Sequence, residues 1–157
     1  MPAHNMQQRE GYHLAQINVA TALYDLDSPH MEGFTGRIDM VNAVAERSKG
    51  FVWRLQTDSG NALDIQVSDD PRFIINISLW EDVDSLRDFV WKTVHARLID
   101  AKAQWFKKSQ DAHMALWWVP IGHRPSAAEG MARLHTLNTK GQTSEAFDWP
   151  YVMGRTL

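Results

Sequence analysis

The stretch from Asn76 to Phe106, NISLWEDVDSLRDFVWKTVHARLIDAKAQWF, most constrains how this chain can fold. Across Arg72 to Trp80, Ile75, Ile77 and Leu79 alternate with Ile74, Asn76, Ser78 and Trp80. That period of two belongs to a strand with two unlike faces. Asp82 stands where a helix cap belongs, and Val83, Leu86, Phe89 and Val90 follow at helical spacing. A second phase, Val94, Leu98, Ala101 and Trp105, predicts a break near Trp91 to Thr93. A strand feeding straight into an amphipathic helix needs a sheet to join and a sheet face to cover.

The rest of the chain supplies those partners. Tyr12 to Val19 reads as a first strand, with Tyr12, Leu14, Gln16 and Asn18 on one face and His13, Ala15, Ile17 and Val19 on the other. Ser28 and Pro29 open a helix whose apolar stripe is Met31, Phe34, Ile38, Val41 and Ala45, and Gly50 suits its left-handed exit. Phe51 to Gln56 is a second strand, with Phe51, Trp53 and Leu55 opposite Val52, Arg54 and Gln56. A long polar connection, Thr57 to Pro71, precedes the Arg72 to Trp80 strand. His113 to Val119 is a fourth strand, stopped by Pro120. Ser126 and Glu129 form a capping box for a last helix that carries Met131, Leu134 and Asn138 and stops at Gly141. The tail AFDWPYV docks as an edge or covers an apolar surface. Residues 1–11 read as a disordered tail and 12–157 as a single domain.

This order is an α+β fold, the ferredoxin-like split βαβ with a four-stranded antiparallel sheet. Such a sheet carries helices on one face. Its other face is apolar here, and a second copy of the chain is the simplest cover, which predicts a homodimer built as a dimeric α/β barrel.

Composition removes several function classes. There is no cysteine, so disulfides, zinc–thiolate sites, iron–sulfur clusters and thiol catalysis are excluded. A net charge of −3 without a basic run argues against nucleic acid as a partner. No apolar run has the ~18–20 residues needed to span a membrane, and the polar first residues predict no secretory signal. A cytoplasmic location fits these features.

The strings YHLAQINVA, GFVWRLQ with SGNALDI, NISLWEDVDSLRDFV and HMALWWVPIGHRPS resemble a bacterial family of domains of unknown function. The likeness runs from about Tyr12 to Phe147, and that family is similar to the antibiotic-biosynthesis-monooxygenase superfamily of dimeric α/β barrels. The resemblance implies a range of activities. Some members of the superfamily oxidise aromatic polyketides with oxygen and no cofactor. Others bind and degrade haem with a helix histidine and an asparagine of the first strand. His95 and Asn18 stand on the corresponding elements here.

The residues point to one pocket. His95 lies about 100° around its helix from the core stripe of Val94, Leu98 and Ala101, at the border of a sheet–helix cleft. An imidazole there can serve as general base. Asn18, Gln16, Arg54, Gln56, Asn76 and Ser78 occupy the less apolar face of their strands and would gather on one side of a sheet. Trp80, Trp91 and Trp118 can wall such a pocket against water. Arg54 can grip a carboxylate or enolate, or form a salt bridge. The seven histidines show no metal-ligand spacing, so no metal is expected. Phosphate-loop, dinucleotide, nucleophile-elbow and metalloprotease motifs are absent. These observations suit a monooxygenase-like small-molecule enzyme with His95 as its base, Asn18, Asn76 and Arg54 on a substrate oxygen, and no cofactor. The alternatives are a non-catalytic ligand-binding module and a haem protein.

Overall fold

The computed structural model describes residues 8–95 and 102–154; of these, the side chains of 95, 102 and 103 lie outside the description. Most of the tail expected at residues 1–11 therefore falls outside it. The last four residues of that stretch are anchored: Gln8 donates to the Tyr12 carbonyl at 3.1 Å, and Arg9 stacks 3.9 Å over the Tyr12 ring.

Four strands form one antiparallel sheet: β1 (Tyr12–Thr21), β2 (Phe51–Arg54), β3 (Phe73–Trp80) and β4 (Met114–Pro120). They lie in the order β2-β3-β1-β4. With helices α1 (Glu32–Arg47) and α2 (Val83–His95) as the crossovers, this is the split βαβ topology. The register sets Gln16 opposite Ser78, Asn18 opposite Asn76, and Leu14 between Trp80 and Trp118. The face assignments of β1 and β3 therefore hold residue by residue, because burial on both sides leaves no freedom to slip by one.

Two details differ from the sequence pattern. The first helix opens with a 3-10 turn, Pro29–Met31, that buries Met31 fully before α1 begins. The break expected at Trp91 to Thr93 is absent, and α2 continues through to His95. Thr93 is wholly buried in it and returns its hydroxyl to the Phe89 and Val90 carbonyls at 3.1 and 3.0 Å. A four-residue helix, α3 (Lys102–Trp105), follows and packs Trp105 with Met31 and Ala22.

One sheet face packs under α1 and α2. Its core is Leu14, Trp80, Leu116, Ala45, Val83 and Leu86, closed at the β4 edge by Phe147 and Val152. Phe147 exchanges both backbone bonds with Leu116, at 2.7 and 2.9 Å, so the tail does dock as a short edge segment before α5 (Trp149–Val152).

The opposite face corrects the predicted packing of two sheets. Ile17, Ile77, Ala115 and Trp117 are completely buried within the single chain. Their cover is α4 (Ala127–Lys140), through Leu134 and Leu137, with Ile65 and Val67 of the long connection beside it. Gly130 lets α4 come close: a Cβ there would meet Ile77 Cδ1 at 2.7 Å and Ile17 Cδ1 at 2.9 Å. α4 thus occupies, within the chain, the face on which a second sheet is expected from the sequence.

β2 also departs from simple alternation. A bulge between Phe51 and Trp53 turns Phe51 toward Trp80 on the α1/α2 face, while Trp53 and Leu55 join the α4 face. An inserted residue reverses the side-chain phase on its strand. Gly50 just before it has φ +82°, and a Cβ there would run into the Ser85 side chain. Gly50→Ala is expected to lower stability by about 1–3 kcal/mol through strain and overpacking. Urea unfolding checks this; an unchanged midpoint would show that α2 yields freely at Ser85.

Candidate functional site

Within the apolar α1/α2 face, polar side chains of β1 and β3 form a hydrogen-bonded chain. Gln16 Nε2 donates to Asn76 Oδ1 and to Ser78 Oγ, each at 2.8 Å. Trp80 Nε1 donates to the same Ser78 Oγ at 2.8 Å. These bonds exist because β1 and β3 set residues 16 and 78 side by side and place 76 and 80 two residues either way on the same face.

Counting protons shows what is left over. Ser78 Oγ accepts two hydrogen bonds, so its own O–H is free to donate, and no described residue takes it. Both Gln16 amide protons are used, while the Asn76 amide N–H groups make no bond among the described residues. Ser78 is only 5% exposed. The Asn76 amide nitrogen keeps access to solvent at the border of the apolar layer, and donors placed there favour a ligand that brings an acceptor oxygen.

Asn42 adds to this set and escaped the sequence reading. It interrupts the α1 stripe between Ile38 and Ala45, yet it is buried. Its side chain makes no hydrogen bond among the described residues, and its polar atoms are not sealed away, since the fully enclosed unpartnered side-chain atom is His13 Nδ1. One turn further on, Glu46 accepts from Arg54 Nε and Nη2 at 3.0 and 2.9 Å. Arg54 pairs across the strands with Ser78. Because α1 and β2 run in opposite directions, one turn back from Glu46 brings Asn42 to the level of Asn76. An asparagine in an apolar helical stripe was the available signal.

The remaining predicted residues divide. Arg54 is buried, and its guanidinium is engaged by Glu46, the salt-bridge arrangement of the two open to it. Trp80 is wholly buried, stacked on Phe89 at 5.0 Å and edge-on to Phe51 at 5.5 Å, and forms the floor beside Ser78. Trp118 is half-buried at the β4 side, 6.4 Å from Phe147. Asn18 is exposed at the far end of the same row as Gln16. Trp91 is 67% exposed on α2.

His95 can be placed by its backbone alone. α2 returns antiparallel to β3, covering roughly 18 Å from Val83 to His95. Six residues of β3 back from Trp80 cover about 20 Å. The end of α2 therefore comes level with Ile74 and Asn76, at the Asn18 end of the sheet. A haem would need an imidazole over this face. Among the described side chains the α1/α2 face offers none.

The fold and the polar cluster define a small α+β domain of ferredoxin-like topology with a hydrogen-bonded polar cluster on the sheet face that its paired helices cover. The chain belongs to the DUF3291 family, described as a domain of unknown function, whose family model matches residues 13–155. No curated protein matches it. Solved structures similar in fold include SnoaB, a cofactor-independent oxygenase from Streptomyces nogalater, at 17% identity and TM-score 0.46 over 74% of this chain and 98% of that one. NE2512, a protein of unknown function from Nitrosomonas europaea, is similar at 13% identity and TM-score 0.47 over 75% and 97%. PA3566 from Pseudomonas aeruginosa is similar at 13% identity and TM-score 0.46 over 77% and 100%. No helix among the described residues is long and apolar enough to cross a membrane.

Proposed function

We propose that this protein binds a small aromatic or conjugated molecule between the sheet and the α1–α2 pair and oxidises it as a monooxygenase-like enzyme. The observation that carries the reading is the Gln16–Ser78–Trp80 network, which leaves the Ser78 O–H within an apolar layer and the Asn76 N–H groups at its border as unused donors. Such donors suit a carbonyl oxygen that becomes an enolate or phenolate. Each well-placed donor to a developing oxyanion in a dry site is worth roughly 2.7–4 kcal/mol.

His95 takes the proton in this scheme. The electron-rich anion reacts with oxygen directly: a ring methylene and O2 give a ring carbonyl and water. The substrate supplies all the electrons, so the reaction needs no cofactor. Asn18 lies at the open end of the polar row, where the substrate enters, and Trp80 and Trp118 exclude water. The cysteine-free chain suits a cytoplasmic enzyme.

Asn42→Ala tests the pocket. Asn42 makes no bond within the described fold, so its loss leaves the unfolding midpoint near the wild-type value. Binding of the pocket ligand, identified by native mass spectrometry of the purified protein, should weaken about three- to tenfold. Unchanged affinity with an identified ligand would remove Asn42 from the site; absence of any ligand from a broad conjugated panel would remove the pocket.

A further inference from the structure

The capping box at Ser126 and Glu129 is only half made. Ser126 Oγ accepts from the Glu129 amide at 3.1 Å, but the Glu129 carboxylate makes no return bond to the Ser126 amide. It turns to the α4 face of the sheet. Its Oε2 accepts from Trp117 Nε1 at 3.1 Å, and its Oε1 meets His123 Nε2 at 2.6 Å. A carboxylate released from its local helix role here steadies an imidazole that is 45% exposed. A turn that served only to start α4 would need neither the histidine nor this diversion.

That bond engages His123 at Nε2 and leaves Nδ1 without a partner among the described residues. The next residue, Arg124, is exposed and lies 6.0 Å over the Trp53 ring. It pairs with no carboxylate among the described residues. At the foot of the same turn, His13 pairs in register with Val119, and its Nδ1 is buried with no hydrogen-bond partner. A buried polar atom left unpaired is rare in folded proteins. His13 shares its sheet face with Trp117, whose indole holds Glu129. The described His, Asp and Glu side chains form no group of three that could hold a metal ion. The chemistry that remains is cationic.

We infer that the turn between β4 and α4 is a second small-molecule site, which takes its ligand by an anionic oxygen group, a phosphate or a carboxylate, held by Arg124 and His123. The planar guanidinium offers a flat pair of donors to such a group. The Glu129 contact orients the imidazole, and an imidazolium held there through Nε2–H presents its Nδ1–H to the same anion, the logic by which a carboxylate aims a histidine in other sites. This site lies on the sheet face opposite the α1/α2 pocket and uses none of its residues.

The test is an NMR titration of the full chain with inorganic phosphate in one arm and acetate in the other, read at the histidine ring nitrogens. Saturable shifts at His123, with Arg124→Gln raising the midpoint about tenfold or more, are expected from loss of a charge-assisted bond. The arm that saturates at lower concentration identifies the oxyanion. Asn42→Ala should leave the titration unchanged, which separates this site from the pocket. His123→Gln, followed at the amides of Gly122 and Arg124, should weaken binding similarly, with the remaining amide spectrum confirming the fold. The inference is overturned if neither anion gives a saturable shift, if Arg124→Gln leaves the midpoint unchanged, or if exposed His30 and His135 shift in parallel.

Discussion

Trp80→Ala should lower the unfolding free energy by about 3–5 kcal/mol, the range for emptying a buried aromatic site. Trp80 has no exposed surface and is held on three sides: Phe89 stacks on it, Phe51 meets it edge-on, and its N–H reaches Ser78. Those contacts join β2, β3 and α2, so the cavity would open where three elements meet. Collapse is difficult there because Phe51 is fixed by the bulge and Phe89 by the helix. Trp80→Phe separates packing from hydrogen bonding. It keeps most of the aromatic volume and removes the N–H donor, so it should cost about 1–2 kcal/mol. Urea unfolding followed by far-ultraviolet circular dichroism measures both. A loss below 1 kcal/mol for the alanine variant would show that neighbouring aromatics refill the site.

His95→Ala should reduce turnover of the pocket's substrate about 10²–10⁴-fold, the contribution of a positioned general base. Ligand affinity should change little, because the scheme binds the substrate oxygen through Ser78 and Asn76. The separation of kcat from binding is the diagnostic. If His95 merely supported the fold, urea stability would fall together with activity. Full turnover in the alanine variant would assign the proton transfer elsewhere. His95→Gln serves as a second variant, since it retains a polar group of similar reach and cannot act as a base.

The two halves of the candidate pocket differ in how visible they were. The sheet half was plain: alternation in NISLW and in YHLAQINV puts Asn76, Ser78, Gln16 and Asn18 on one row, and the β1–β3 register joins them. The helix half was not. Asn42 stands in an apolar stripe, and only the approach of α1 to β2, marked by the Glu46–Arg54 pair, shows what it lies level with. Arg54 shows the same limit, because a strand arginine can serve a ligand or a salt bridge until its neighbour is known. The change of helical phase after Val90 implies a break near Trp91 to Thr93 that α2 does not have, because Thr93 packs inward within one continuous helix.

The amino-acid sequence by itself determined the element order, the two faces of β1 and β3, the absence of thiol chemistry and the ferredoxin-like class. Each of these follows from local periodicity, capping residues or composition, which act over a few residues at a time. Only the tertiary structure decided what covers each face. It closed the far face with α4 through the close approach at Gly130, moved Phe51 across the sheet by a bulge, and drew Glu129 from its helix cap to His123 and Trp117. Periodicity states that a surface is apolar; which distant segment buries it depends on shape and on long-range chain closure, which no short window of sequence contains.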